Sequence, residues 1–235
     1  IDATTHLTLD TTSNKDFNSR TIINNGTVTW NLGHIRSGND GSFTNASSGI
    51  FNDSNTNGYS VQNAFGGNFT FTNNGTYNRN VINTTTFSAP FDNNATVNLQ
   101  QGTIALNAGG TMSATSVVNA SSGTTFTFGD TYTIASGSQL LGLGTFQHTG
   151  GNLIVDLLTA SNFTWSAGDW NSASAFTTTL ASTTTLNLNG TTSKNFDGRD
   201  IVNQGTVNWN HGYLRYGNGG SFTNASGATF NDINP

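Results

Sequence analysis

The ionisable groups of this chain are few: 12 acids, all of them Asp, 7 Lys plus Arg and 4 His in 235 residues, with no Cys. Cleaving a polysaccharide takes two carboxyl groups held roughly 5 to 9.5 Å apart, one to protonate the leaving oxygen and one to attack or to activate water. Between residues 54 and 185 the acids are Asp92, Asp130, Asp156 and Asp169, and no two are closer than 13 positions. Stacked turns of chain could bring Asp92 to Asp130, or Asp156 to Asp169, but no pair shares a motif. His6, His34, His148 and His211 lack metal-ligand spacing. The absence of Cys excludes thiolate chemistry, disulfides and Cys-ligated zinc. No phosphate loop, nucleophile elbow or Ser-His-Asp arrangement stands out. The expectation is a chain that is not an enzyme and needs no metal or cofactor.

Binding chemistry is better represented. Six of the seven cations fall in two matching segments, Lys15, Arg20 and Arg36, then Lys194, Arg199 and Arg215, while Arg79 stands alone between them. Arg20, Arg36, Arg199 and Arg215 are candidates for a contact face toward a neighbouring subunit or an acidic glycan. The competing reading is structural, with Arg20 and Arg199 bonded to nearby turn carbonyls or Asp. Trp30, Trp165, Trp170 and Trp209 would stack sugars if they faced outward, but their spacing predicts core, with Phe43 and Phe222. A net charge of −5 and a pI near 5.0 argue against nucleic acid and anionic membrane as partners. No apolar run approaches the roughly 20 residues of a membrane span.

The elements that must position these groups follow from composition. The chain holds 40 Thr, 35 Asn, 28 Gly and 23 Ser, and only 8% of its residues are charged. Thr favours strands, Asn and Gly favour turns, and the helix formers Glu and Lys are scarce, so the fold is expected to be all β. Sixteen Phe, four Trp and five Tyr supply a core that a disordered chain would lack. Residues 7 to 53 align without a gap on 186 to 232, an offset of 186 − 7 = 179, with 27 identities in 47 positions. A shorter pattern places an apolar residue, another at plus two, Gly at plus five and a third apolar residue at plus seven. It starts at Val28, Val97, Phe163 and Val207, and at Phe146 with His148 in the second slot.

A second element is apolar-x-Asn, as in Ile22-Ile23-Asn24, Phe43-Thr44-Asn45, Phe71-Thr72-Asn73, Phe91-Asp92-Asn93, Val117-Val118-Asn119 and Phe222-Thr223-Asn224. Asn45 follows Asn24 at the same interval as Asn224 follows Asn203, 45 − 24 = 224 − 203 = 21. That period predicts a parallel β-helix (β-solenoid), one continuous body over 1–235, with roughly 11 or 12 coils of about 20 residues and a length on the order of 50 to 60 Å. Asn24, Asn45, Asn203 and Asn224 are expected at left-handed corners, bonded from coil to coil as a ladder.

The strings GRDIVNQGTVNWNHGYLRYGNGGSFTNASGATFND at 198–232, FTNNGTY at 71–77, ATVNLQQGTIALNAGGT at 95–111 and SGSQLLGLGTFQHTGGNLIV at 136–155 resemble repeat regions of large bacterial surface and secreted β-solenoids. These are the filamentous-haemagglutinin and autotransporter-adhesin type. The resemblance implies a non-enzymatic structural or adhesive rod, extracellular or on the bacterial cell surface. Its partners would be neighbouring repeats, or copies of itself end to end, and surface glycans. The alternatives are a glycan-binding or polysaccharide-cleaving β-helix and an ice-binding solenoid. The Thr-x-Thr pairs that would serve the last, such as Thr125-Phe126-Thr127, recur at irregular intervals, which argues against a flat Thr ladder.

Overall fold

The computed structural model describes residues 1–172 and 176–235. Among these there is no helix, and every strand pairing is parallel. The chain forms the β-solenoid that its sequence predicts, with about 11 turns spaced some 21 residues apart. At about 4.8 Å per rung the stack is about 50 Å tall. Each coil contributes three short strands, which define three sides.

Side A begins with Thr21–Asn24, Gly41–Asn45, Phe69–Asn73 and Phe91–Asn93 and runs to Leu153–Val155. Single bridges Asn152 to Asp169 to Asn195 carry it on to Lys194–Asn195 and Leu214–Arg215. Side B runs from His6–Leu9, Thr27–Trp30 and Ile50–Asp53 through Val117–Ala120 to Gln139–Gly142. Leu157–Leu158, Phe176–Leu180, Arg199–Asn203 and Ser221–Asn224 continue it, joined where the Leu140 amide donates to Thr159 Oγ1 at 3.1 Å. Side C climbs from Lys15–Asp16 and Ile35–Ser37 through Thr125–Phe128 and Thr145–His148 to Thr229–Asp232. Two long strands, Thr76–Ser88 and Thr96–Leu106, bend round the corner between B and C and merge those sides into one sheet.

Alternation of side chains across each strand sends one residue in two to the axis. Parallel in-register pairing then stacks like on like: Val28 on Phe51 on Tyr77 on Val97 on Val118, and Phe126 on Phe146 on Phe163 on Leu186 on Val207. All of these are buried. The result is a single apolar shaft with long aromatic runs. Phe71 lies parallel to Phe43 at 4.8 Å and to Phe91 at 5.7 Å between ring centroids.

The glycine of the short motif turns the corner. Gly33, Gly102, Gly151, Gly168 and Gly212 all have φ between +68° and +83°, a region that costs an L-residue about 1–2 kcal/mol. Where the second slot is Trp, its indole N–H donates to that glycine's carbonyl: Trp30 to Gly33 at 2.6 Å, Trp165 to Gly168 at 2.9 Å and Trp209 to Gly212 at 3.0 Å. A buried indole must place its one donor, so the same four residues, Trp to Gly, that sharpen the bend also satisfy the ring. A methyl group on Gly151 would overlap the backbone of Asp130 and Thr131 on the coil below. Gly151→Ala is therefore expected to lose about 2 kcal/mol of stability from strain and overlap, read as a lower urea midpoint at unchanged slope.

The asparagines differ from expectation. Among the described residues, the non-glycine residues at positive φ are Ser19, Asn39, Asp40, Asn83 and Asn218, and none is a ladder Asn. Asn24, Asn45, Asn73, Asn93 and Asn203 are inward-facing strand residues just before the corner, buried to 0% exposure. Asn119 of the Val117-Val118-Asn119 triplet points the other way and belongs to an outer ladder.

Candidate contact surface

Two kinds of Asn ladder run along the rod. In the inner one Asn24 donates to Asn45 (2.8 Å), Asn45 to Asn73 (2.9 Å) and Asn73 to Asn93 (2.8 Å). Each amide nitrogen also reaches a backbone carbonyl of a later strand, those of Ile50, Thr76 and Thr96. Asn24 accepts the Gly26 amide at 3.1 Å, so the side chain closes the corner as well as linking coils. Asn203 repeats the arrangement with Asn224 at 2.7 Å, although Asn224 is exposed. Outer ladders run Asn119 to Asn98 to Asn78 to Asn52 on side B and Asn231 to Asn208 to Asn187 to Asn162 on side C.

Of the aromatic core candidates, Trp30, Trp165 and Phe43 are buried, whereas Trp209 and Phe222 are half-buried against the core. The four arginine candidates do not form one face. Arg36 grips Asp16 through two bonds, Nε to Oδ1 at 2.7 Å and Nη2 to Oδ2 at 2.8 Å, and the same bonds hold the Asp16 carboxyl below its usual pKa. Arg20 is exposed, with no side-chain hydrogen bond among the described residues. Arg199 is a correction: it is fully buried and out of reach of any partner. Its strand, Arg199–Asn203, packs onto Phe176–Leu180, and the guanidinium lies over Phe176 with its carbon 4.8 Å from the ring centroid. It donates to Thr178 Oγ1 at 2.8 Å and to the Asn171 carbonyl at 3.2 Å, and burial brings its pKa down to about 10.

Arg215, like Arg20, is exposed to solvent, with one long bond from Nη1 to Ser193 Oγ at 3.5 Å. Asn195 stands where the first copy has Asp16, and it donates to Asp169 Oδ1 at 2.7 Å instead. Arg215 therefore has no carboxylate partner among the described residues. It lines an open cleft of about 330 Å³ with Asn171, Asn195, Asp197 and Tyr216.

Sequence reasoning missed two buried polar sites. Asp53 and Arg79 follow Trp30 up side B and face the shaft at 0% exposure. Arg79 Nη1 donates to Asp53 Oδ2 (2.8 Å) and Thr85 Oγ1 (2.5 Å), and Nη2 to the carbonyls of Ile82 (3.1 Å) and Asn83 (2.8 Å). Tyr77 donates to the same Asp53 oxygen at 2.8 Å. This pair fastens the irregular 54–59 and 80–83 corners to the core. The one available signal was that Asp53 recurs as Asp232 in the second copy.

The other site is His148, buried with Trp165 and Trp170. It accepts the Trp170 indole N–H at 3.2 Å on Nδ1 and donates from Nε2 to the Gly150 carbonyl at 2.7 Å. Burial above all, with a smaller contribution from Arg199, lowers its pKa to about 4. At pH 7.5 the ring is neutral whether folded or unfolded. As pH falls through 6.5 the unfolded chain takes up a proton that the folded chain refuses until about pH 4. Stability should fall across that window by about 3 kcal/mol. Urea titrations at pH 7.5 and pH 4 check this, and His148→Leu should flatten the difference.

Side C also holds a feature that the intervals in the sequence conceal. Register aligns Thr84, Thr103, Thr125, Thr145, Asn162, Thr185, Thr206 and Thr229 in one outward rank, with Thr86, Ala105, Thr127, Gln147, Thr164, Asn187, Asn208 and Asn231 beside it. Corners of unequal length absorb the irregular spacing, and neither rank carries a charge.

No protein-family model, curated protein or solved structure matches this chain. The fold and its surfaces are the findings on which a functional reading can rest.

Proposed function

We propose that the chain is a non-enzymatic structural and adhesive solenoid of the bacterial cell surface or extracellular space, part of a tandem-repeat stalk, fibre or matrix filament. Its partners are neighbouring repeats or copies of itself joined end to end, with surface glycans as further ligands. The observation that carries this reading is the apolar shaft: in-register ranks continue from coil to coil, with Asn ladders along stretches of it, a design for length. Its last coil offers a seat for another. Phe222 and Phe230 are half-buried beside a hollow of about 460 Å³, whereas their counterparts Phe43 and Phe51 are covered by Phe71 and Tyr77, stacked at 4.8 Å and 5.2 Å.

Light scattering and negative-stain electron microscopy over a concentration series test it. Filaments that lengthen in steps of about 50 Å, and that Phe230→Asp abolishes, are expected. Single short rods at every concentration, or depolymerisation of a polysaccharide by the purified chain, would overturn it.

The Thr rank on side C supports a second reading, an ice-contact face. A freezing-point gap that Thr125→Tyr and Thr145→Tyr remove would support it, and no gap at millimolar protein would end it.

A further inference from the structure

The two copies share local conformation as well as sequence. Ser19 and Gly198 have φ of 58° and 67°, Asn39 and Asn218 of 47° and 48°, and Asp40 and Gly219 of 63° and 81°. Yet the copies stand on different sides of the rod. Following side C upward from Ile35–Ser37, direct pairing leads through Ser60–Asn63, Thr76–Ser88, Thr96–Leu106, Thr125–Phe128, Thr145–His148, Asn162–Trp165 and Thr185–Leu188 to Thr206–Trp209, eight rungs in all. The sequence counterpart of Thr206–Trp209 is Thr27–Trp30, which lies on side B, one side earlier in its coil. Lys194–Asn195 is likewise on side A while Lys15–Asp16 is on C, and Arg199–Asn203 is on B while Thr21–Asn24 is on A. One full repeat therefore winds eight turns and one further side.

We infer that in a tandem array each unit presents its outward side chains a third of a turn round from the unit before. A feature specific to the unit then returns to the same side only at every third unit. This rests on the tandem-array reading above, although the rotation within this chain does not. With about 4.8 Å per rung, a unit rises about 40 Å and the full cycle of three about 120 Å. The Arg36 position faces out from side C and the Arg215 position from side A. A partner lying flat along one side meets equivalent groups once in three units. A partner that surrounds the rod meets one on each side in turn. Such a surface fits a mesh that encloses the rod better than a single plane, and it breaks any one-sided ladder built from unit-specific residues.

The chain has no cysteine, so introduced ones are unique labels. The full chain extended by one and two further copies of residues 54–232, with Asn25→Cys, Gln204→Cys and the matching position in each added unit, is biotinylated, decorated with streptavidin and imaged by cryo-electron microscopy. Rods that lengthen by about 40 Å per unit, with labels stepping a third of a turn, are expected. Lengthened rods with all labels along one side would overturn the inference. Rods that fail to lengthen would count against the array reading instead, and the rotation is then read in the unextended chain. Spin labels at Ser122 and Gln204 stand four rungs apart on the edge between B and C. A separation of about 20 Å supports the rotation, and one a third longer refutes it.

Discussion

Replacing Arg79 by Ala is expected to destabilise the chain by about 3–5 kcal/mol, the cost of leaving one member of a buried ion pair without the other. Asp53 would keep the Tyr77 hydroxyl and the Asn55 amide as donors but lose its counter-charge at 0% exposure. The carbonyls of Ile82 and Asn83, both bonded by Arg79 Nη2, would lose that donor. Asp53→Asn should cost less: it leaves the Arg79 charge without its counter-ion, but that guanidinium keeps the Thr85 hydroxyl and the carbonyls of Ile82 and Asn83 as acceptors. In a double-mutant cycle, Asp53→Asn with Arg79→Met should fall short of the sum of the singles by at least about 1 kcal/mol. Equilibrium urea unfolding by fluorescence gives all four values, and strict additivity would mean that the pair is not coupled as its geometry requires.

Phe71→Ala should rank beside it, losing about 3–5 kcal/mol. Phe71 sits where sides A and B face each other: parallel to Phe43 and Phe91, and edge-on to Phe51 at 5.2 Å, Tyr77 at 6.1 Å and Phe87 at 5.5 Å. Hydrogen-bonded coils above and below hold the backbone, so the space left by the ring can close only in part. Ile82→Ala is the control. Its side chain is 65% exposed, and its loss should change stability by no more than about 0.5 kcal/mol.

The architecture was legible because it is periodic. Apolar residues two apart, Gly five from the start and Asn recurring at one-coil intervals are each the trace of one coil, and the five motif glycines do share one left-handed conformation. What escaped was whatever depends on neighbours in adjacent coils. Arg199 and Arg20 occupy the same place in the repeat, yet one is buried on a rung already laid down by Phe176–Leu180, while the other precedes the first strand of side A. Arg36 and Arg215 diverge because Asp16 became Asn195. The Thr rank of side C was hidden because alignment in space depends on rungs and not on residue intervals. The change of side between the two copies was hidden for the same reason: an offset in sequence says nothing about turns until the corners are counted.

In-register parallel stacking of successive coils underlies every contact described above, and paired cysteines test it most directly. Thr127, Gln147 and Thr164 are consecutive outward neighbours on side C, and disulfides close when Cα atoms lie about 4.4–6.8 Å apart. Under mild oxidation Thr127→Cys with Gln147→Cys should crosslink fully, one rung apart, while Thr127→Cys with Thr164→Cys, two rungs apart, should stay reduced. A reduced first pair, or an oxidised second one, would contradict the stacked coil.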